Sequence, residues 1–170
     1  VKPSIEARKK QPKDDLITYL IEQNYKDWEI FTEALTYGAA GMATTREFIA
    51  LAGWHLLTNP ALRARYLQAA EAERHAILQE ILRLEPIVSV IKRHAAEDIR
   101  LDNDGQVYQI RKGDAIHVHV QTVNTDKTVV GTDGDMVCPM RDMHKQVVMP
   151  SVMSFGDGHH RCPGAYVAIY

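Results

Sequence analysis

The sequence has little of what marks several specialised classes of protein. It contains two cysteines among 170 residues, too few for a scaffold held together by disulfides. No apolar run approaches the roughly 20 residues of a membrane-spanning helix, and the polar N-terminal stretch lacks the apolar core of a signal peptide. The net charge of −2 gives no basic field for nucleic acid. We therefore expect a cytoplasmic protein without a membrane span or a nucleic-acid partner.

The composition is that of an ordinary globular protein. Hydrophobic residues make up 45% of the chain and charged residues 25%, which are typical values for a folded domain. A length of 170 residues fits one domain. We therefore expect residues 1–170 to form part of a single domain.

Helical patterns fill the first half of the sequence. Asp14 or Asp15 is a suitable N-cap for the first helix, and Pro60 suits the first turn of a later one. The longest pattern, if helical throughout, is roughly 45 Å long. The first thirteen residues are rich in lysine and arginine and are expected to form a solvated edge or linker. The predicted helices cover about 16–24, 28–57, 61–70 and 72–84.

Short strands are predicted beyond the helices. Residues 99–101 and 107–110 flank an Asp-Gly turn typical of a hairpin, and residues 115–120 alternate with a period of two. Residues 121–150 show almost no periodicity, and irregular stretches of this length are usually functional. The predicted fold class is mainly α with a small antiparallel β portion.

The end of the sequence carries the densest chemistry. Three glycines, two histidines, one arginine and Cys162 lie within ten residues. Glycines let a backbone approach a large flat ligand and adopt positive φ. A cysteine just before a helix start, here expected at Gly164, is favoured as a thiolate, and a thiolate is an axial ligand for haem iron. The alternative interpretation is a glycine-rich turn with a buried free cysteine.

The spacing Phe155-Gly156-x-Gly158-x-His160-x-Cys162-x-Gly164 resembles the haem-binding loop of the cytochrome P450 family. The resemblance implies that Cys162 is the iron ligand and that the other named residues of this loop contact haem b. In the same family a histidine and an arginine pair with the haem propionates, and His160 and Arg93 match those positions. Both fit physically, because buried carboxylates need charge-assisted donors.

A family Glu-x-x-Arg motif matches Glu80 and Arg83, and Arg141 lies where the family has a third, network-completing arginine. Residues three apart share one face of a helix, so an isolated pair of this kind is also a common surface feature. The segment Asn124-Thr125-Asp126 resembles the start of the family's irregular loop. The resemblance implies that the charged trio forms a structural network.

The long helix contains a segment, Ala40-Gly41-Met42-Ala43-Thr44-Thr45, that is similar to the family's oxygen-binding groove. The resemblance implies that Ala40 and Gly41 leave room for dioxygen and that the Thr44 hydroxyl hydrogen-bonds it. Ala43 stands where the family has an acid. Without the resemblance, Thr44 is a helix residue that bonds back to the preceding turn.

The resemblance implies the C-terminal catalytic half of a cytochrome P450 fold, with the N-terminal half absent. Its order is a long central helix, the Glu-x-x-Arg helix, β hairpins, an irregular loop and the haem loop. The implied activity is monooxygenation of a small, apolar organic substrate by dioxygen, with electrons from a ferredoxin or a flavodoxin-type donor. Two alternatives stay open: a non-catalytic homologue that partners or activates another enzyme, and a peroxide-driven oxygenase.

Overall fold

A computed structural model describes residues 1–139, 141 and 150–169. Its helices and strands form two compact units, Val1–Glu47 and the residues from Phe48 onward. The helices are α1 (Lys2–Lys10), α2 (Leu16–Glu22), α3 (Asp27–Thr58), α4 (Pro60–Gln68), α5 (Glu71–Leu84), α6 (Val120–Asn124), α7 (Lys127–Val130) and α8 (Ala165–Ile169). The strands are β1 (Val90–His94), β2 (Ile99–Asn103), β3 (Gln106–Ile110) and β4 (Ala115–His119). The prediction of a mainly helical chain with a small antiparallel β portion is confirmed.

The first thirteen residues were expected to form a solvated edge or linker. Most of them are exposed, as a solvated edge would be, but they are not a linker, because α1 occupies most of them. Pro3 lies in the first turn of α1, where its missing N–H costs no hydrogen bond. Ile5 is 1% exposed and packs with Leu20 and Ile30. Lys9 pairs with Asp27 at 2.8 Å. A single buried isoleucine packs this helix against its neighbours. One apolar residue does not produce a periodic pattern in the sequence.

The start of α2 follows the predicted capping chemistry. The Asp15 carboxylate accepts a hydrogen bond from the Thr18 N–H at 3.0 Å and pairs with Arg8. The Thr18 N–H and the Arg8 guanidinium hold the pKa of Asp15 below its ordinary value. The helix ends at Glu22, and Asn24 then takes the left-handed conformation with φ of 62°.

The long helix α3 has 32 residues and spans about 48 Å at 1.5 Å per residue. Its C-terminal part contributes Phe48 and Ala52 to the core of the second unit, where α4, α5 and α8 supply the other buried side chains. Much of the remaining α3 surface is apolar and exposed. Large exposed side chains of α3 are Trp28, Phe31, Leu35, Tyr37, Met42, Ile49, Trp54 and Leu57.

Two antiparallel strand pairs lie between α5 and α6. β2 and β3 form the predicted hairpin, in which Asp104 and Gly105 take positive φ. β1 pairs with β4, with Val90 opposite His119 and His94 opposite Ala115. The β1–β4 pair joins residues more than 20 positions apart, and the β2–β3 hairpin lies between these two strands in the sequence.

The stretch from residue 121 contains two short helices in its described part, α6 and α7, where the sequence shows almost no periodicity. Helices of five and four residues are too short to reveal a repeat of 3.6. Val120, Asn124 and Val130 are nevertheless buried. The aperiodic segment is therefore an ordered part of the second unit as far as the structure describes it.

Candidate functional site

The loop around Cys162 is closed by its own backbone. The Cys162 N–H donates to the Phe155 carbonyl at 2.8 Å, and the Arg161 N–H donates to the Gly158 carbonyl at 3.1 Å. Gly158–His160 forms a turn of 3₁₀ helix. These bonds satisfy backbone groups inside the loop, and Phe155 packs against the hydrophobic core of the second unit.

Two glycines take conformations in this loop that other residues rarely adopt. Gly156 has φ of 67° and Gly158 has φ of 63°. A Cβ at Gly156 would also lie 3.3 Å from the His160 carbonyl oxygen. Close backbone approach and positive φ are the two conditions that favour glycine. The spacing of the glycines in the sequence is thus set by the shape of the loop.

The Cys162 thiol is free and exposed. A Cβ placed on Gly164 would lie 3.8 Å from Cys162 Sγ, which leaves the thiol flanked by glycine rather than by a side chain. A haem held through cysteine needs an accessible sulfur and a backbone that lets the flat macrocycle approach it. The residues of this loop therefore fit the haem group that the sequence motif implies.

The two predicted propionate partners are placed on different elements. His160 is exposed at the end of the 3₁₀ turn, and Arg93 is exposed on β1. Arg93 Nη1 donates to the Lys92 carbonyl at 2.8 Å. Both side chains are cationic or can become so, and both lie at the surface of the second unit.

Glu80 and Arg83 form a fully buried ion pair on α5. The Arg83 side chain is 0% exposed and the Glu80 side chain 4%, and Arg83 donates to the two carboxylate oxygens at 2.6 and 3.0 Å. Its other N–H groups donate to three backbone carbonyls, of Asn124 at 2.8 Å, Gly134 at 2.7 Å and Met136 at 3.1 Å. All five N–H donors of a guanidinium are used, so the pair joins α5 to the aperiodic segment.

Arg141 lies against the same carboxylate, with its side chain 4% exposed. Its Nε and Nη2 are each 3.4 Å from Glu80 Oε2, and Nη1 pairs with Asp133. Burial lowers the pKa of Arg141, but Asp133 and Glu80 together raise it above its ordinary value. The structure thus brings all three residues of the predicted network together.

Sequence reasoning missed the function of two residues in this network. Gly134 supplies a carbonyl to Arg83, and a Cβ there would lie 2.7 Å from Val130 Cγ2 and 3.0 Å from the Thr125 carbonyl oxygen. Asp133 pairs with Arg141, whose guanidinium holds the pKa of Asp133 below its ordinary value. An Asp-Gly dipeptide signals a turn, but it does not reveal which side chain that turn will contact.

The predicted dioxygen groove lies on the part of α3 in the first unit. Ala40, Gly41 and Thr44 are exposed, and a Cβ at Gly41 would meet nothing within 4 Å. The Thr44 hydroxyl donates to the Ala40 carbonyl at 2.7 Å, which is the back-bonded state expected of a helical threonine. The nearest acid along the chain, Glu47, pairs with Arg46 at 2.6 Å.

Three other side chains of ligand-forming type lie in the second unit. His117 and His119 are exposed on β4, and Cys138 is a free, half-buried thiol. Among the residues that the structure describes, no helix has the length and apolar character to cross a bilayer.

Comparison with known proteins identifies the family. The family model described as cytochrome P450 matches residues 74–170, more than half of the chain. Cytochrome P450-SOY of Streptomyces griseus is 27% identical over 96% of this chain and 38% of its own length. Cytochrome P450 109 of Bacillus spizizenii is 31% identical over 96% of this chain and 39% of its own length. The chain belongs to the cytochrome P450 family, as its motifs predicted.

Solved structures agree on the fold. P450BioI, in a complex with acyl carrier protein ligated to hexadec-9Z-enoic acid, superposes with a TM-score of 0.80 at 27% identity. The match covers 98% of this chain and 41% of that one. The predicted cytochrome P450 fold is therefore confirmed. The chain spans about two fifths of the length of P450BioI and of the two bacterial relatives named above.

Proposed function

We propose that this chain carries the haem-binding part of a haem-thiolate monooxygenase, with Cys162 as the iron ligand. The observation that supports this most is the Cys162 loop, in which an exposed, free thiol sits in a backbone closed by its own hydrogen bonds. A thiol that served only packing would be buried, as free cysteines usually are. Membership of the cytochrome P450 family supplies the class of cofactor.

The residues that would hold haem b divide into three kinds. Cys162 supplies the sulfur. Arg93 and His160 would donate charge-assisted hydrogen bonds to the propionates, which such carboxylates need when they are taken out of water. The backbone and ring of the remaining loop residues would lie against the macrocycle. These are Phe155, Gly156, Gly158 and Gly164.

Haem bound through a thiolate activates dioxygen, so that one oxygen atom enters the substrate and the other leaves as water. In this proposal Ala40 and Gly41 leave space for dioxygen, and the Thr44 hydroxyl holds a proton beside it. The Thr44 hydroxyl donates to the Ala40 carbonyl, and its oxygen keeps lone pairs that can accept a hydrogen bond from water or from a polar substrate group. Ala43 provides no acid, so a water or a polar substrate group must supply protons.

The proposed substrate is a small, apolar organic molecule, and the proposed electron donor is a ferredoxin or a flavodoxin-type protein in the cytoplasm. One relative bears on the choice of donor and one on the form of the substrate. One is named a self-sufficient cytochrome P450 monooxygenase, from Exserohilum turcicum, and P450BioI has been solved with an acylated carrier protein. Turnover with each donor class, and binding of free against carrier-linked fatty acid, separates these possibilities.

The test of the proposal is the spectrum of the reduced, carbon monoxide-bound protein. A thiolate ligand gives a strongly red-shifted band, and Cys162→Ala should abolish it. Cys138→Ala is the matched control, because it removes the other cysteine, which is also free. A red-shifted band that persists in Cys162→Ala, or that is lost in Cys138→Ala instead, contradicts the assignment.

A second candidate, a homologue without oxygenase activity that assists another enzyme, is favoured by Ala43 and by the back-bonded Thr44 hydroxyl. A placed proton donor is typically worth about 10²–10⁴-fold in rate. If the enzyme is active, Ala43→Asp should raise product formed per NAD(P)H consumed, and Thr44→Ala should lower it. Turnover with peroxide but not with a reductase would instead identify a peroxide-driven oxygenase. A haem-loaded protein inactive under both conditions supports the non-catalytic alternative.

A further inference from the structure

Asn124, the last residue of α6, is fully buried and uses all of its side-chain hydrogen-bonding groups except one lone pair. Its amide nitrogen donates to the Arg83 carbonyl at 2.9 Å and to Ser154 Oγ at 2.8 Å. Its amide oxygen accepts from the Met153 N–H at 2.8 Å. One side chain therefore connects the end of α5 to the two residues that immediately precede Phe155.

The same contacts satisfy the C-terminal end of α5. The last carbonyls of a helix have no partner within it. Here Ile81 accepts the last bond of the helical ladder, from the C-cap residue Glu85, and the Leu82, Arg83 and Leu84 carbonyls each accept a side-chain hydrogen bond. Two of the four donors are Asn124 and Ser154. The Glu85 N–H donates to the Ile81 carbonyl at 2.9 Å, and Ser154 Oγ donates to the Leu82 carbonyl at 2.9 Å. Asn124 Nδ2 donates to the Arg83 carbonyl at 2.9 Å, and Gln121 Nε2 donates to the Leu84 carbonyl at 3.3 Å.

A short chain of backbone bonds leads from this cap to the cysteine. The Met153 carbonyl accepts from the Gly156 N–H at 2.9 Å, and the Phe155 carbonyl accepts from the Cys162 N–H at 2.8 Å. Met153, held by Asn124, is thus two residues from the carbonyl that fixes the backbone of Cys162. A displacement of Met153 would move that carbonyl directly.

We propose that Asn124, acting with Ser154, is a positioning residue that sets where Cys162 lies relative to α5. The inference rests on the proposed function only in naming Cys162 as the ligand. Arg83 reinforces it, because its guanidinium donates to the Asn124 carbonyl while its own carbonyl accepts from the Asn124 amide. The Asn124 amide thus links the Glu80–Arg83 ion pair on α5 to the residues that precede the haem loop.

The chain offers two controls that separate positioning from general stability. Ser151 lies in the same turn as Ser154 and is 0% exposed, but its hydroxyl has no hydrogen-bond partner among the described residues. Gln121 caps the same helix end but its side chain contacts Leu84 rather than the loop. Ser151→Ala removes a hydroxyl without a bond, and Gln121→Ala removes a cap without touching Met153 or Ser154.

The experiment compares Asn124→Asp, Ser154→Ala and Ser154→Thr with those two controls. Asn124→Asp keeps the shape and the acceptor but loses both donated hydrogen bonds, and Ser154→Thr keeps the hydroxyl. Amide hydrogen exchange at Met153 and Cys162 is measured on the haem-free full chain. The fraction of reduced, carbon monoxide-bound protein that shows the red-shifted thiolate band is measured on the loaded protein.

We expect Asn124→Asp and Ser154→Ala to speed exchange at both amides by roughly tenfold, about one hydrogen bond's net contribution, and to reduce the red-shifted fraction. Ser154→Thr should restore both readouts, and the two controls should match wild type. If Asn124→Asp does not fold, Ser154→Ala alone decides. Wild-type behaviour of folded Ser154→Ala, or equal effects in Gln121→Ala, overturns the inference. Absence of the band from wild type refutes the proposed function, while the exchange measurements still test Asn124.

Discussion

The polar groups of the ion network around Glu80 and those of the loop around Cys162 find their hydrogen-bond partners in different ways. In the network, side-chain charges are buried and every Arg83 donor has a partner within the protein. In the loop, the backbone bonds to itself while Cys162 and His160 face outward. Buried charges whose partners all lie within the protein stabilise the fold. A loop whose backbone is hydrogen-bonded to itself and whose ligating side chains are exposed can instead bind another molecule.

The largest effect is expected from breaking the network. Arg83→Ala leaves Glu80 buried without its main partner, which typically costs about 3–5 kcal/mol, a large part of the stability of a domain. We expect little folded protein by circular dichroism and denaturant titration. Arg63→Ala, at an exposed position on α4, is the control and should remain within about 0.5 kcal/mol of wild type. Equal stability of the two variants would show that the network is dispensable.

A smaller loss is expected at the glycine that lies beside Arg83. Gly134→Ala would place a Cβ 2.7 Å from Val130 Cγ2 and 3.0 Å from a backbone oxygen, and overpacking of this kind typically costs about 1–3 kcal/mol. Gly53→Ala, on α3, is the counterpart because a Cβ there meets nothing within 4 Å. It should instead stabilise the helix by about 0.5–1 kcal/mol. Thermal melting of both variants tests whether they change stability in opposite directions.

The stability that Asp133 contributes through its pairing with Arg141 should depend on pH. Arg141 lowers the pKa of Asp133, so the contribution of Asp133 is fully present above its unfolded pKa of about 3.9 and is lost as the pH falls through the folded value. Asp133→Asn should therefore be less stable than wild type at neutral pH, and the difference should shrink towards zero in acid. Denaturant titrations from neutral pH to about pH 3 measure it. A difference independent of pH would mean that Asp133 does not act through its charge.

The smallest effect on stability is expected in the loop. Cys162→Ala removes an exposed thiol from a loop held by backbone bonds, so the haem-free protein should melt within about 0.5 kcal/mol of wild type. Loss of the red-shifted band without loss of stability would separate ligand binding from folding. A strongly destabilised Cys162→Ala would mean that the thiol supports the loop, and would weaken the contrast with the network.

Local signals predicted most of the elements of this chain. Asp15 caps α2 and Asn59 caps α4 just before Pro60, because a cap needs only a side-chain acceptor beside the first free N–H groups. The turn at Asp104-Gly105 was equally visible, since the residues themselves favour positive φ. Glu80 and Arg83 are three positions apart, so the sequence alone places them on one helix face.

The sequence by itself thus determined the helices α2 to α5, the turn of the hairpin and which residues could ligate or pair. Only the tertiary structure decided that α1 docks through Ile5, that β1 pairs with β4, and that Asn124 joins α5 to the Cys162 loop. The reason is distance along the chain. Arg83 donates to carbonyl groups 41, 51 and 53 residues away. No local sequence pattern shows which backbone oxygens will accept hydrogen bonds from its buried N–H groups.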